Sequence, residues 1–457
     1  MRTPPGLGDL ATAADTRAAA PGPNPHPVPL AAPVHWTALI YMVADNDLEP
    51  FGIEDLNEME AAPDYAEVNV VVQVDRSSRY DTTNGDWSTT RRMEVRPDSD
   101  TATVGSLFLA DLGEQNMGDP QTLADFLVWG VDTYPADHYL VVIWDHGYGW
   151  SGGIGNDLGN GDHLSVTELG SALSVGADHL GRPFDILAFD ACLMQQVDVL
   201  VEVAWVADFF VGAQNLEPAT GWPYEEMVAA LGANAGNAPR AVAAALSSSY
   251  MGFYGTQGRS MMSAAGAAPL RTTLVSALNR LAGELGALVE DPSTMGQGSA
   301  ERAIWEARDR SPAMFITDYI DLGDFARRLE GDARLPSSAR AAATAVRSAV
   351  NATVFAEAHS VYQPGLTGIT VYLPATSVPL RYSETRWARE GLWDEFVVAY
   401  LSGVPFSARP PTLTVTTPAN ASMVARYFQG SFSATQLASE LLQLQHKVAW
   451  GEWAAYA

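Results

Sequence analysis

Several residue types are scarce in this sequence, and each shortage excludes something. Its 457 residues include a single cysteine, Cys192, so no disulfide can form within the chain. A chain of this length can bury enough apolar surface to fold without one, and its length suggests two or three domains. The lone thiol is therefore either a small buried hydrophobic group or a reactive side chain.

Positive charge is scarce as well. The chain has 26 Lys and Arg residues against 54 Asp and Glu residues, its formal net charge is −28, and Lys447 is its single lysine. A field of this sign repels phosphate backbones, so we expect no nucleic-acid partner. The same field would attract cationic substrates.

Long apolar runs and metal-binding patterns are missing. No stretch approaches the roughly 18 apolar residues that cross a bilayer, so we expect no membrane span. Residues 17–33 are dominated by Ala and Pro rather than by a hydrophobic segment, so no signal peptide is recognised. His163, His179 and His359 have no metal-ligand partners at a recognisable spacing, which predicts no metal site.

The sequence does contain a repeating pattern of apolar strands and helical segments. Hydrophobic residues make up 47% and charged residues 18%, as expected for a globular chain. Runs that are apolar on both faces are typical of central parallel strands covered by helices. They occur at residues 37–44, 68–74, 139–144, 184–189 and 209–213. The pattern predicts an α/β fold with a mainly parallel central sheet.

Composition divides the chain into four parts. We predict an Ala/Pro-rich disordered leader at 1–34 and an α/β catalytic core at 35–224. Residues 225–405 have the pattern of a helix-rich second half with strands that complete the sheet. Residues 406–457 begin with a proline-rich linker signal, and we predict part of a β-type module there.

A histidine and the cysteine follow two of these strands. His146 comes two residues after the run that ends at Trp144, and Cys192 comes three residues after Phe189. Ligand sites in parallel sheets lie beyond the carboxyl ends of the strands, so both side chains are expected at one rim. An imidazole can take the proton of a thiol, and the thiolate then attacks a carbonyl carbon. The backbone amides of Gly147 and Cys192 are candidates to hold the oxyanion.

Six blocks of sequence resemble the clostripain family of cysteine peptidases, whose caspase-like fold is shared with gingipains, legumain and separase. The resemblance runs from about residue 36 to residue 405 and keeps the blocks in order. The blocks are WTALIYMVADNDLE (36–49), VVIWDHGYGW (141–150), DILAFDACLM (185–194), GAQNLEPATGWPY (212–224), YIDLGDFARRL (319–329) and GLTGITVYLP (365–374). The resemblance implies a three-layer αβα sandwich, a catalytic dyad of His146 and Cys192, and endopeptidase activity through a thioester acyl-enzyme.

The resemblance also implies a substrate preference. In this family an acid two residues before the nucleophile lies in the pocket for the residue that precedes the cut bond, and here that acid is Asp190. A carboxylate there can bind an arginine guanidinium through two hydrogen bonds. The expected substrates are therefore peptides or proteins with exposed Arg, with Lys left open as a second choice. Glu217 and Trp222 are expected to line the same pocket.

Two other functions remain open from the sequence. Residues 149–153 fit G-x-S-x-G, which would make Ser151 the nucleophile of a serine esterase, but a glycine-rich stretch follows it where that motif needs a helix. The fold could also serve as a catalytically inactive binding or adhesion module. No cofactor is predicted, although calcium is left open because some relatives use it. Asp157 and Asp162 lie in the glycine-rich stretch, which we expect to be an ordinary flexible loop.

Relatives are often activated by a cut between the two catalytic residues. Here the only basic residue between them is Arg182, which precedes Pro183, and a proline after the cut bond hinders most peptidases. We therefore predict no self-cleavage in this segment. The chain is expected to be a monomer. The resemblance favours an extracellular or cell-envelope location, although no signal peptide is visible.

Overall fold

The structure is a computed structural model, and the residues it describes are 34–63, 67–255, 260–290 and 299–402. The predicted C-terminal module at 406–457 lies outside these residues. So does the predicted leader at 1–34, apart from Val34. Both therefore stay predictions.

The strands assemble into one large sheet and two small ones. In chain order they are β1 (Val34–Ala44), β2 (Val68–Arg76), β3 (Arg91–Glu94), β4 (Leu107–Asp111), β5 (Ala136–Trp144), β6 (Ile154–Asp157), β7 (Asp162–Leu164), β8 (Phe184–Asp190), β9 (Ala207–Gly212), β10 (Met261–Gly266), β11 (Tyr319–Asp321), β12 (Val354–His359) and β13 (Thr370–Tyr372). The large sheet has nine strands in the order β12-β10-β9-β8-β5-β1-β2-β3-β4. Its five central strands, β9 to β2, run parallel, and the pairs at both edges are antiparallel.

Helices connect most of these strands. They are α1 (Glu49–Ala61), α2 (Pro120–Thr133), α3 (Val166–Leu180), α4 (Val197–Glu202), α5 (Tyr224–Ala233), α6 (Pro239–Tyr254), α7 (Ala267–Pro269), α8 (Val275–Glu290), α9 (Ala300–Arg310), α10 (Leu322–Gly331), α11 (Ser337–Thr353), α12 (Arg386–Glu390) and α13 (Trp393–Ser402). Local sequence fixes several of their ends. A capping box of Ser165 and Glu168 starts α3, and Gly181 in the left-handed conformation ends it.

Successive side chains along each strand point to opposite faces of the sheet, and each face packs into its own apolar layer. On β1, Tyr41 and Val43 pack into one core cluster with α2, α3, α4 and helices α8 to α13. Ile40 and Met42, which point to the other face, pack with α1, α5 and α6. Helices thus cover both faces of a sheet, and the predicted caspase-like αβα sandwich with a mainly parallel sheet is confirmed.

The edges of the sheet differ from the sequence prediction in detail. The pattern at 77–92 predicts a hairpin or loop, whereas residues 77–90 form a loop and β3 begins at Arg91. Strand β10 is not predicted, because its residues MMSAAG are small and do not alternate, yet it is buried between β9 and β12. The expectation of an ordinary loop around Asp157 is wrong, because β6 and β7 pair there as a hairpin.

The register of β5 and β8 positions the loops that follow them. Trp144 of β5 lies opposite Asp190 of β8, and the amide of Asp145 donates to the carbonyl of Asp190 at 3.2 Å. His146 and Cys192 therefore each lie two residues beyond a paired position at the same rim of the sheet.

None of the described helices combines the length and the apolar character that a membrane crossing requires.

Candidate functional site

The loop that carries His146 is held by acids on either side of the histidine. The carboxylate of Asp145 is buried and accepts hydrogen bonds from Asn46 Nδ2, at 2.8 Å, and from the amide of Asn156. Asp47 Oδ1 lies 2.9 Å from His146 Nε2. The turn at residues 45–47, which follows β1, therefore orients both the loop and the imidazole.

These contacts also set the basicity of the imidazole. Burial by itself lowers the pKa of His146, but the hydrogen bond that the protonated ring donates to Asp47 and the charge of Asp145 outweigh it. The pKa of His146 is consequently raised above its ordinary value of 6.5. A histidine of raised pKa is a stronger base once it is neutral.

Cys192 lies in a sharp turn directly after β8. Leu193 has a φ of 67°, an uncommon conformation for a residue with a branched side chain, and one that costs about 1–2 kcal/mol. The amide of Leu193 donates to the carbonyl of Asn215 at 3.0 Å, which anchors the turn to a neighbouring loop. Strained backbone of this kind is maintained only where the surrounding structure fixes it.

The thiol is buried and protonated at neutral pH. The amide of Glu217 donates to Cys192 Sγ at 3.2 Å. Burial raises the pKa of Cys192 to about 12, and the charges of Glu217 and Asp190 add to this effect. Attack by this sulfur therefore requires a base to remove its proton.

The histidine and cysteine loops are in direct contact at Gly147. A Cβ added at Gly147 would lie 2.3 Å from the carbonyl oxygen of Cys192 and 3.0 Å from Cβ of Ala191. Only glycine fits this approach, so the backbone of Gly147 packs directly against the segment that carries Cys192. The structure thus brings Gly147 and Cys192, the predicted oxyanion donors, to one place.

The three predicted pocket residues also lie together beside the thiol. Asp190 is buried at the end of β8, and the amide of Trp222 donates to its Oδ2 at 3.3 Å. Burial raises the pKa of Asp190. Burial, and then the charge of Asp190, raise the pKa of Glu217, while hydrogen bonds with the backbone of Ala191 and the side chain of Trp222 act to lower it.

The structure adds Asp55 to this group. A Cβ at Gly221, which has a φ of +60°, would lie 3.2 Å from Asp190 Oδ2 and 3.3 Å from Asp55 Oδ2, so the two carboxylates flank one glycine. Asp55 Oδ2 accepts from Trp144 Nε1 at 2.6 Å, while its Oδ1 is buried without a partner. We refer to the group formed by Asp55, Asp190 and Glu217 as the carboxylate pocket.

Asp55 and Asp47 are the two residues that sequence reasoning missed. The sequence pattern could have indicated Asp55, because it is a charged residue on the buried face of α1, between Gly52 and Leu56. A buried acid in an apolar helix face is uncommon unless it has a function or a partner. No sequence pattern indicated Asp47, because acids are common in the turns that follow strands.

Ser151 is the nucleophile in the alternative serine-esterase hypothesis, but its surroundings are not those of a catalytic serine. It ends a short 3₁₀ segment, Gly149–Ser151, and β6 follows instead of an α-helix. Its Oγ lies 2.7 Å from the hydroxyl of Tyr319 and 3.5 Å from the carbonyl of Tyr148. The strand–turn–helix context of the serine motif is therefore absent around this residue.

Comparison with known proteins matches this architecture. A family model described as Clostripain family matches residues 40–400. Clostripain from Hathewaya histolytica is 28% identical over 222 residues, which cover 42% of this chain and 41% of that protein. The match therefore spans less than half the length of that relative.

Solved structures share the fold. A secreted C11 cysteine protease from Bacteroides thetaiotaomicron, in complex with an irreversible peptide inhibitor, superposes with a TM-score of 0.58 at 24% identity and covers 78% of this chain and 98% of its own. An inactive zymogen C11 protease from Parabacteroides distasonis superposes with a TM-score of 0.58 at 19% identity, covering 80% and 99%. Because the family model spans most of the sequence, the chain belongs to the clostripain family of cysteine peptidases.

Proposed function

We propose that this protein is a cysteine endopeptidase that cuts peptide bonds after arginine and, less efficiently, after lysine. Cys192 is the nucleophile and His146 its base. Asp190 binds the basic side chain, with Glu217 and Asp55 beside it. Trp222 forms part of the pocket wall.

The observation that carries the proposal is the carboxylate pocket. Asp55, Asp190 and Glu217 are all buried, and within the described chain none forms an ion pair with Arg, Lys or His. Three acids gathered without a positive charge repel one another and are costly to bury. A cationic side chain from outside the protein removes that cost, and this supports a basic residue as the ligand.

The unfilled acceptors favour arginine over lysine. Asp55 Oδ1 is buried without a hydrogen-bond partner, and the carboxylates of Asp190 and Glu217 supply further acceptor oxygens. A guanidinium carries five N–H donors in a fixed plane, so it can satisfy several of these oxygens at once. An ammonium group has three donors around one point and reaches fewer of them.

The position of His146 and Cys192 at one rim of the sheet, each two residues beyond a paired strand position, supports the following mechanism. His146 takes the thiol proton, the sulfur bonds to the carbonyl carbon, and the amides of Gly147 and Cys192 hold the oxyanion. Each such donor typically contributes about 2.7–4 kcal/mol of barrier lowering. The C–N bond then breaks, and the leaving nitrogen takes the proton from His146. Water hydrolyses the thioester and restores the thiol.

Fluorogenic amides that end in Arg, Lys or Asp test the proposal. We expect cleavage in the order Arg, then Lys, with Asp uncut, and complete loss in Cys192→Ala. Ser151→Ala is the matched control and should keep its activity. Cleavage that survives in Cys192→Ala and is lost in Ser151→Ala would favour the serine esterase, and no cleavage by the wild type would favour an inactive binding module.

A further inference from the structure

Tyr148 lies on the loop that carries His146, and the mechanism above does not use it. It follows His146 by two positions, and the centroids of the two rings are 6.3 Å apart with their planes tilted by 33°. Its side chain is partly exposed. The phenol ring therefore stands beside the imidazole at the rim of the sheet that carries the catalytic residues.

The backbone of Tyr148 is fixed from several directions. Gly147 pairs with Ile154 as an isolated antiparallel bridge, and the amide of Tyr148 donates to the carbonyl of Gly153 at 3.0 Å. The carbonyl of Tyr148 accepts from the hydroxyl of Tyr319 at 2.8 Å. Because all of these contacts involve the backbone of the loop, they position the side chain of Tyr148 without using its hydroxyl.

The ring of Tyr148 packs against a glycine, while its hydroxyl is unused. A Cβ at Gly152 would lie 2.5 Å from Cβ and 2.9 Å from Cγ of Tyr148, so only glycine fits there. Within the described chain the hydroxyl of Tyr148 makes no hydrogen bond, whereas that of Tyr254 donates to the carbonyl of Gly221 at 2.9 Å. A tyrosine hydroxyl that is removed from water usually has a hydrogen-bond partner, so a substrate that covers Tyr148 is expected to supply one.

The charges that act on Tyr148 indicate on which side of the sulfur it lies. Burial, and then the charges of Asp145, Cys192 and Asp47, raise the pKa of Tyr148 above its ordinary value of 10.0. None of these groups belongs to the carboxylate pocket, whereas burial and charges from that pocket raise the pKa of Tyr250. Tyr148 thus lies on the histidine side of the sulfur, and its hydroxyl stays protonated at neutral pH.

We propose, building on the proposed function, that Tyr148 binds the part of the substrate that leaves after the cut. His146 protonates the leaving nitrogen, so the peptide that follows the cut bond passes the histidine side of the site. The hydroxyl of Tyr148 donates a hydrogen bond to the carbonyl of the first residue after the cut bond. Tyr148 is then a substrate-binding residue on the leaving side, while the carboxylate pocket binds the arginine on the other side.

Two substrates that share one arginine separate this role from a structural one. The first is an arginine coumarin amide, which has no residue after the cut bond, and the second is a peptide that continues past the same arginine. In full-length Tyr148→Phe, which keeps the ring, kcat/KM for the peptide should fall roughly two- to tenfold more than kcat/KM for the amide, because one neutral hydrogen bond is lost. Tyr319→Phe is the matched control. It removes a hydroxyl that holds the same loop through its backbone, and it should change both substrates by the same factor.

Capture of the acyl-enzyme by alaninamide gives a second readout. The amine of alaninamide bonds to the thioester carbon, the C–S bond breaks, and the proton lost by the amine returns to the sulfur through His146. The ratio of this product to the hydrolysed acid does not depend on how fast the acyl-enzyme forms, so it reports binding on the leaving side. The ratio should fall roughly two- to tenfold in Tyr148→Phe and stay unchanged in Tyr319→Phe.

Failure of this assignment and failure of the proposed function give different results. Equal losses on both substrates, or a capture ratio in Tyr148→Phe that equals that of the wild type, would overturn the role of Tyr148 and leave the peptidase intact. If the wild type cuts neither the amide nor the peptide, the proposed function is wrong, and the role of Tyr148 is wrong with it.

Discussion

The protein gathers acids in two places, and the two groups differ in their surroundings. The carboxylate pocket lies among the aromatic residues Trp222, Tyr224 and Tyr250, which suits a long side chain that ends in a flat cation. The second group, Asp45, Asp75, Glu114 and Asp157, is called the four-acid cluster here and is surrounded by backbone amides and by Asn160. Both groups are acidic, so the neighbouring side chains and amides distinguish them rather than their charge.

Asp190→Asn should have the largest effect on activity, and it should act on the carboxylate pocket alone. Removing one partner of a buried charge pair typically costs about 2–5 kcal/mol, so kcat/KM toward the Arg amide should fall accordingly. Glu54→Gln, an exposed change of the same charge on α1, should leave kcat/KM unchanged. An unaltered preference for Arg in Asp190→Asn would show that the pocket assignment is wrong.

Asp55→Asn should have a smaller effect in the same direction. Asparagine can still accept the hydrogen bond from Trp144, so the fold is kept while one charge is lost. A hydrogen bond to a charged group contributes about 1.5–3 kcal/mol, and we expect a loss of that size toward Arg amides. If only the unfolding temperature changes and kcat/KM does not, Asp55 is structural rather than part of the pocket.

The rim that carries His146 and Cys192 was largely predictable from the sequence, whereas Asp55 of the carboxylate pocket was not. Apolar runs reveal buried strands, and parallel strands end together, so His146 and Cys192 could be assigned to one rim. Asp190 was assigned through the family resemblance, which implies a pocket acid two residues before the nucleophile. Asp55 reaches the pocket from a helix 135 positions earlier, and only the packing of α1 against the sheet brings it there.

The four-acid cluster shows the same limit. Asp157 attracted attention because of its glycine-rich surroundings, whereas Asp45 and Asp75 look like ordinary residues at strand ends. Strands β3 and β4 were not predicted, and the loop that carries Glu114 follows them. Residues that meet only through tertiary packing leave no spacing pattern in the sequence.

Asp47→Asn tests the segment that lies between the two acid sites. Asp47 raises the pKa of His146, and His146 must be neutral to accept the thiol proton. Activity of the wild type should therefore rise with pH through a pKa above 6.5, and the acid limb of Asp47→Asn should move to lower pH. The measurement is kcat/KM against pH for the Arg amide. An acid limb that stays in place would mean that Asp47 does not set the basicity of His146.

The smallest expected effect is that no cut occurs between His146 and Cys192, so that both acid sites remain on one unbroken chain. Arg182 precedes β8, and the seven residues of that strand separate it from Cys192 by roughly 23 Å. Its guanidinium also donates hydrogen bonds to Asp185 Oδ2 at 2.9 Å and to the carbonyl of Asp137 at 2.6 Å.

The Arg182–Pro183 bond therefore cannot reach its own active site, and its proline disfavours attack by a second molecule. Intact mass after incubation, with Cys192→Ala in parallel, measures this directly. A cut between the two catalytic residues that occurs in the wild type and not in Cys192→Ala would contradict the prediction.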